Sequence, residues 1–296
     1  MNSIYVKARA KINLAIDVLG KREDGYHDLH MVMQSLSLYD DVVIKKIFKE
    51  DYLKIVSNLS WLPDDDRNIV YRVAAYMAKT FNLPTGIFIE MNKRIPVSAG
   101  LGGGSADCAA TLFGIRTLFS LPLTDSDLME IGAKFGADVP FCVMRGTAEA
   151  KGVGEILRKL PPLPHAYVLL VKPPVIISTA DVFKKFKFDG NENAKRPNID
   201  ELIMRINNRR PIGEIAGAMG NVLELVTAQE YPVIEEIKRL LMEQGAVGSL
   251  MSGSGATVFG LFFSKETMKK AASAVRSAFP NIRDVILTDF YDGKFG

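Results

Sequence analysis

The sequence predicts an α+β fold in two parts, and three observations predict it. Strand-like segments crowd residues 3–56, and helical periodicity takes over from Asn68, so strands and helices are grouped rather than alternated. A second set of strands and helices begins at Ala166. Between the two sets stands Pro161-Pro-Leu-Pro164, the best linker in the chain, which sets expected domains over 1–160 and 165–296. A chain of 296 residues is long enough for two cores.

The elements follow in order. Residues 3–19 are β-rich and alternate through Ile4, Val6, Ala8, Ile12, Leu14, Ile16 and Val18, which predicts one or two strands. Lys11 and Asn13 lie two residues apart, so both side chains leave one face of a strand. Gly20 to His30 is a loop of glycine and charge, with Tyr26 and His27 as an aromatic pair available for stacking. Strands are expected at Leu29–Leu38, Asp41–Phe48 and Tyr52–Val56, with Asp64-Asp65-Asp66 as the cap of a helix over 68–81. A strand at Gly86–Met91 leads to Pro96. Helices reach about Phe119 and then span 126–135, the second capped by Thr124 or Asp125. Arg145 to Leu160 reads as a hairpin turning at Gly152-Val-Gly154. Beyond the linker come a strand at Ala166–Val171, a helix containing Phe183, and a polar, mobile stretch over 187–198. Helices are expected at 199–206, 221–227 and 232–244, strands within 247–263, a helix at 265–279 and a strand at Asp284–Asp289.

The most informative stretch is PVSAGLGGGSADCAA, Pro96 to Ala110, where Gly100, Gly102, Gly103 and Gly104 occupy four of five positions. Glycine tolerates φ > 0 and has no Cβ, so a ligand can lie directly on its backbone. Ser105 to Ala110 are small residues that open a helix, and the first N–H groups of a helix have no partner within it. Free donors at the positive end of a helix dipole suit a polyphosphate. The P-loop pattern is excluded because Ser105 and Ala106 follow Gly104 where Gly-Lys-Ser/Thr is required. The dinucleotide fingerprint is excluded because Ser105 stands where its third glycine belongs. A glycine-rich turn before a packed helix is the competing reading, and four glycines flanked by Ser98 and Ser105 exceed what such a turn needs.

At GADVPFCV, Asp138 sits in apolar surroundings, where burial raises a carboxylate's pKa unless a cation partners it. It reads either as the N-cap of a short helix or as a general base with Lys11 as its cation. For Lys11 itself a solvated strand lysine is the alternative. His27 and His30 lack a further histidine or cysteine nearby, which argues against zinc.

PxxxGLGGGSA resembles the phosphate loop of the GHMP kinases, named for galactokinase, homoserine, mevalonate and phosphomevalonate kinases. Ala-Lys-Ile-Asn-Leu at residues 10–14, Gly-Ala-Asp-Val-Pro at 136–140 and the Ser-Gly-Ser-Gly of 252–255 resemble further motifs of that family. The resemblance covers nearly the whole chain. It implies an α+β two-domain GHMP kinase fold: an N-terminal α/β domain like ribosomal protein S5 domain 2, and a ferredoxin-like C-terminal domain. It implies ATP, arriving with Mg²⁺, as the phosphoryl donor. Lys11 and Asp138 would be catalytic. ATP would be bound by Asn68, Lys93, Pro96, Val97, Ser98, Ala99, Gly100, Leu101, Gly102, Gly103, Gly104, Ser105 and Ala106, with no dedicated metal ligands in the protein. The triple glycine before Ser-Ala-Asp points to the branch whose acceptor is a small alcohol carrying a cytidine diphosphate. In that branch Asn13, Tyr26, His27, Thr179 and Phe183 would bind the acceptor. Phe183, in a helix, could equally be core. Another alcohol kinase of the homoserine or mevalonate type, a decarboxylase and a non-catalytic nucleotide sensor remain as alternatives on the same fold.

Composition limits the partners. Hydrophobic residues at 48% and charged residues at 24% are ordinary for a globular protein. A net charge of +3, with no basic run interleaved with aromatics, gives no ground for nucleic acid. Two cysteines, Cys108 and Cys142, without a CxxC fit a reducing cytoplasm. The start of the chain has no apolar run and no signal-peptide pattern. Gly245 to Ser264 carries no charge, but nine of its 20 residues are glycine or serine, which predicts a buried loop between strands rather than a membrane span. A cytoplasmic monomer or weak homodimer with a small-molecule substrate is the expectation.

Overall fold

In a computed structural model the chain is described over residues 1–49, 52–186 and 196–293. It divides into two compact units whose segments interleave along the sequence. The first comprises Met1–Ala10, Leu38–Val97 and Gly102–Met144; the second comprises Lys11–Ser37, Ser98–Leu101 and the chain from Arg145 onward. Each unit mixes helices with strands. Among the described residues no helix is long and apolar enough to cross a membrane.

The first unit takes the start of β1 (Ser3–Lys21), the end of β2 (His27–Ile47), β3 (Leu53–Ser57), α1 (Ile69–Thr80), β4 (Gly86–Asn92), α2 (Gly103–Leu118), α3 (Asp125–Ala133) and α4 (Val139–Met144). β4 pairs antiparallel with Asp41–Ile47 of β2 and parallel with β3, which aligns the buried Ile44, Ile89 and Ile55 across three strands. Val73, Met77, Leu112 and Ile115, from α1 and α2, complete this core. A Cβ on Gly114 would lie 2.3 Å from Ile44 Cδ1, so α2 rests closer to β2 than a side chain permits.

Several expectations need correction. β1 is one strand, within the expectation of one or two, but β2 runs unbroken where a break was expected at Tyr39-Asp40. Asp40 does not end the strand because it is fully buried and its carboxylate is taken up internally. The triple aspartate does not cap α1. Asn68 does, its Oδ1 accepting from Val70 N at 2.9 Å, while Asp65 serves Arg67. Thr124 caps α3 in a reciprocal box with Asp127. α2 begins at Gly103, two residues before the expected start, so Gly103 and Gly104 are helical and the positive φ values just before it fall at Ser98 (52°), Gly100 (74°) and Gly102 (67°).

The second unit takes the rest of β1 and β2, then β5 (Thr147–Gly152), β6 (Ile156–Lys159), β7 (Tyr167–Lys172), α5 (Thr179–Lys185), α6 (Ile199–Asn207), α7 (Ile212–Ala216), β8 (Gly220–Asn221), α8 (Glu224–Glu230), α9 (Val233–Glu243), β9 (Gly248–Met251), β10 (Val258–Phe262), α10 (Lys265–Ala278) and β11 (Asp284–Asp289). β11, β7, β10 and β9 form an antiparallel sheet in that order, and α9 and α10 pack on it. β9 and β10 are the expected strands around the Ser252–Gly255 loop. α7 and β8 were not foreseen: five and two residues are too few for periodicity to register, and β8 exists by parallel pairing with distant Ala15 and Ile16. The helix expected at 221–227 runs instead over Glu224–Glu230. Of the stretch expected to be mobile, 187–195 lies outside the described residues. Arg196 is tied to Asp17 Oδ1 at 2.7 Å, and Asn198 caps α6.

Glu149 of β5 receives hydrogen bonds from Arg158 of β6 at 2.5 Å and His30 of β2 at 2.8 Å, with Lys151 at 3.3 Å. Burial pushes its carboxyl up, but these donors outweigh burial and hold it at about 2. A depressed folded-state pKa contributes stability above the ordinary glutamate value, lost as pH falls through the folded value. Glu149→Gln should therefore lower unfolding free energy at pH 7 by about 1–3 kcal/mol, a range discounted for the exposure of Arg158 and Lys151. The deficit should vanish as pH falls from about 4.5 to about 2 in denaturant titrations.

Candidate active site

In the first unit the turn into α2 presents the N–H groups of Gly103, Gly104 and Ser105, which by helix geometry have no acceptor inside the helix. Beneath them lies Lys93, just past the end of β4. Its Nζ sits 3.5 Å from where a Gly103 Cβ would be, and it donates to both Asp40 of β2 and Asp107 of α2. All three side chains are buried. Asp40 Oδ1 also accepts the backbone N–H groups of Arg94 and Ile95, the latter at 2.8 Å. Burial alone pushes the Lys93 pKa down; the two carboxylates outweigh it and raise it above the ordinary lysine value. Burial, reinforced by the Asp40 charge, pushes the Asp107 carboxyl up to about 7 despite the pull of Lys93. The Lys93 ammonium is thus directed at two carboxylates of its own unit. Asn68 is likewise engaged at both ends of its amide, accepting from Val70 N and donating to Pro63 O at 2.7 Å.

Asp138 is half-buried at the residue before α4, with its carbonyl accepting from Cys142 N. Lys11 and Asp138 belong to different units.

In the second unit Lys11 is buried on β1 and donates to Asn13 Oδ1 at 2.8 Å, the same-face pair that a spacing of two requires. Asn13 Nδ2 reaches Met31 Sδ at 3.6 Å. Lys11 N donates to Leu101 O at 2.9 Å, and Thr257 N donates to Ala99 O, fastening Ala99 and Leu101 to β1 and to the start of β10. Ser252 Oγ donates to Gly100 O at 2.9 Å and accepts from Asn13 N at 3.4 Å. Gly100 is required here: a Cβ would lie 2.2 Å from Ser252 O. The Ser252–Gly255 loop is held in turn by Asn221, whose Nδ2 donates to Met251 O and Gly253 O. Glu224 accepts from Met251 N at 2.7 Å while paired with Lys238.

The acceptor-side residues also lie in the second unit. His27 stacks on Phe183 with ring centroids 5.2 Å apart and planes 26° from parallel. Burial, helped by the Lys21 charge, pushes the His27 pKa down, which favours the neutral ring. Phe183 is half-buried, so its ring is not wholly given to the core. Tyr26 is 65% exposed beside them in sequence, and Thr179 shares a 2.7 Å hydrogen bond with Ser254. Among the described residues no group of three or more His, Cys, Asp or Glu side chains is placed to hold a metal ion.

The sequence reading missed Asp40, Asp107, Asn221, Glu224 and the individual role of Ser252. Asp107 carried a usable signal, a carboxylate among small residues in a helix interior. Asn221 read as a helix opener.

The two kinds of glycine separate experimentally. Gly103 has helical φ, and its nearest neighbour to a new Cβ is Ile95 Cγ2 at 3.1 Å. Gly103→Ala should change unfolding free energy by less than about 1 kcal/mol, whereas Gly100→Ala should lose about 1–3 kcal/mol from overpacking and a left-handed backbone. Guanidinium melts of both variants check this.

Comparison with known proteins is consistent over the whole length. The GHMP kinases N terminal domain model matches residues 68–146, and the GHMP kinases C terminal model matches 197–281. The chain is 46% identical over 294 residues to 4-diphosphocytidyl-2-C-methyl-D-erythritol kinase of Lachnoclostridium phytofermentans, covering 99% of each chain. It is 46% identical over 274 residues to the protein of the same name in Acetivibrio thermocellus, covering 93% of this chain and 94% of that one. A crystal structure of 4-(cytidine 5'-diphospho)-2C-methyl-D-erythritol kinase superposes with a TM-score of 0.81 at 29% identity, over 97% of this chain and 99% of the other. Homoserine kinase from Cytophaga hutchinsonii shares the fold at a TM-score of 0.80 and 22% identity, over 99% and 95% of the two chains. With the glycine turn, the Lys11–Asn13 pair and the Ser252–Gly255 loop in place, these matches show that the chain belongs to the GHMP kinase family, in the branch that holds the 4-diphosphocytidyl-2-C-methyl-D-erythritol kinases.

Proposed function

We propose that this chain transfers the γ-phosphoryl group of ATP to the 2-hydroxyl of 4-diphosphocytidyl-2-C-methyl-D-erythritol, giving the 2-phosphate and ADP, a step of isoprenoid precursor biosynthesis by the non-mevalonate route. The observation that carries the reading is the 46% identity, over 99% of both chains, to a kinase named for that acceptor. Phosphoryl transfer depends on positioning and charge stabilisation more than on covalent chemistry. The backbone of Pro96 to Ala106 would hold the triphosphate, with Ser105 reaching its oxygens and with Asn68 and Lys93 lining the nucleotide site. Lys11 would supply positive charge near the group in transfer, oriented by Asn13. Asp138 would take the proton from the acceptor hydroxyl. Tyr26 and the His27–Phe183 stack would hold cytosine, and Thr179 the remainder of the acceptor. Mg²⁺ would enter bound to ATP, where it neutralises charge on the phosphates. We further read 1–160 and 165–296 as the two domains, and the protein as a cytoplasmic monomer or weak homodimer.

The test is a panel of alcohols with ATP, including the cytidylyl acceptor, homoserine and mevalonate, following ADP release and the phosphorylated product. The cytidylyl acceptor should be the substrate turned over, and Asp138→Asn should lower kcat by about 10²–10⁴-fold. Phosphorylation of homoserine or mevalonate alone would overturn the acceptor. Unchanged turnover in Asp138→Asn would remove Asp138 from the chemistry.

A further inference from the structure

Among the described residues of the first unit, Asp40, Lys93 and Asp107 form a cluster of buried charged side chains, and its two carboxylates have no part in the reaction above. Its members come from β2, from the segment after β4 and from α2. Two carboxyl groups face one ammonium, so the cluster carries a formal charge of −1 when both are ionised and none when Asp107 holds a proton, with none of its side chains exposed. Removing ions from water costs several kcal/mol each, and apolar residues of similar volume often serve stability as well or better. Asp107 makes this sharper: its Oδ1 accepts no hydrogen bond among the described residues, so only Oδ2 is satisfied. Stability is a poor reason to keep such a group.

Its location supplies another reason. Ile95, held by Asp40 through its backbone N–H, lies 3.1 Å from the point a Gly103 Cβ would occupy, and Lys93 Nζ lies 3.5 Å from the same point. One ammonium therefore ties the segment entering the glycine turn to the helix leaving it. We propose that Asp107 and Asp40 are positioning residues for the triphosphate, fixing the first turn of α2 through Lys93 so that its N–H groups are aimed before ATP arrives. Neither carboxylate touches the nucleotide. The proposal rests on the reading of this turn as the triphosphate site.

The test uses the full chain with ATP and the cytidylyl acceptor, and measures KM for each, kcat and thermal unfolding. Asp107→Asn keeps the shape and leaves a one-to-one Asp40–Lys93 pair. The variant Asp40→Asn/Lys93→Met/Asp107→Asn removes every charge. Both should raise KM for ATP by about ten- to a hundredfold, the scale of a misplacement of about 1 Å, with KM for the acceptor within about twofold. A melting temperature unchanged or raised in the neutral variant would fit, since positioning and stability are then separated. KM for ATP within about twofold of wild type in Asp107→Asn would overturn the proposal, as would ATP and acceptor constants rising together, the sign of general loosening. If the neutral variant does not fold, Asp107→Asn decides alone. Wild-type protein that consumes no ATP defeats the proposed function; an active wild type with an unaffected Asp107→Asn defeats only this inference.

Discussion

A triphosphate can lie on protein backbone only where no Cβ intervenes and where N–H groups are left over, and the glycine turn proposed to hold it meets both conditions. At Gly100 the missing side chain lets the backbone approach Ser252 O more closely than any Cβ allows. At Gly102 it permits the left-handed residue from which α2 starts. At Gly103 it leaves the helix mouth bare, directly above Lys93 and Ile95. The three glycines thus do three different things: Gly100 allows a close approach, Gly102 a left-handed backbone and Gly103 an uncovered helix start.

On each side of the turn the chain is held by polar side chains of its own unit. In the first unit it is the carboxylate–ammonium–carboxylate cluster at Lys93. In the second unit it is a run of hydrogen bonds from Lys238 through Glu224 to Met251 N, with the Asn221 amide forked onto the carbonyls of Met251 and Gly253, and on through Ser252 to Gly100 and Asn13. The second of these specifies a single arrangement, because any alternative leaves a donor or acceptor unpaired, whereas the first leaves Asp107 Oδ1 without a hydrogen bond among the described residues. Lys11 and Asn13 belong to the same network through their own hydrogen bond.

Much of this was legible because it is written locally. The glycine turn, the Lys11–Asn13 spacing, the strands flanking Ser252-Gly-Ser-Gly255 and β11 each follow from a few adjacent residues. What escaped was written at a distance. Asp40 looks like part of a polar Tyr39-Asp40-Asp41 turn until its partner, 53 residues away, is seen to draw it inside the strand. β8 has two residues and depends on β1 for its existence. The start of α2 was placed at Ser105 because a glycine pair reads as turn, although a helix packed beneath by Ile95 and Lys93 accepts glycine in its first turn. Asp65 and Asn68 show the same limit at a cap: five polar residues stand in a row before α1, and geometry rather than composition chooses Asn68.

The central claim, that the triphosphate is bound by backbone at the start of α2, is tested most directly by a crystal structure with a non-hydrolysable ATP analogue. The account predicts phosphate oxygens within hydrogen-bond distance of the N–H groups of Gly103, Gly104 and Ser105, with Lys93 still directed at Asp40 and Asp107. A triphosphate seated away from this turn, or Lys93 released from its two carboxylates to contact the phosphates, would contradict it.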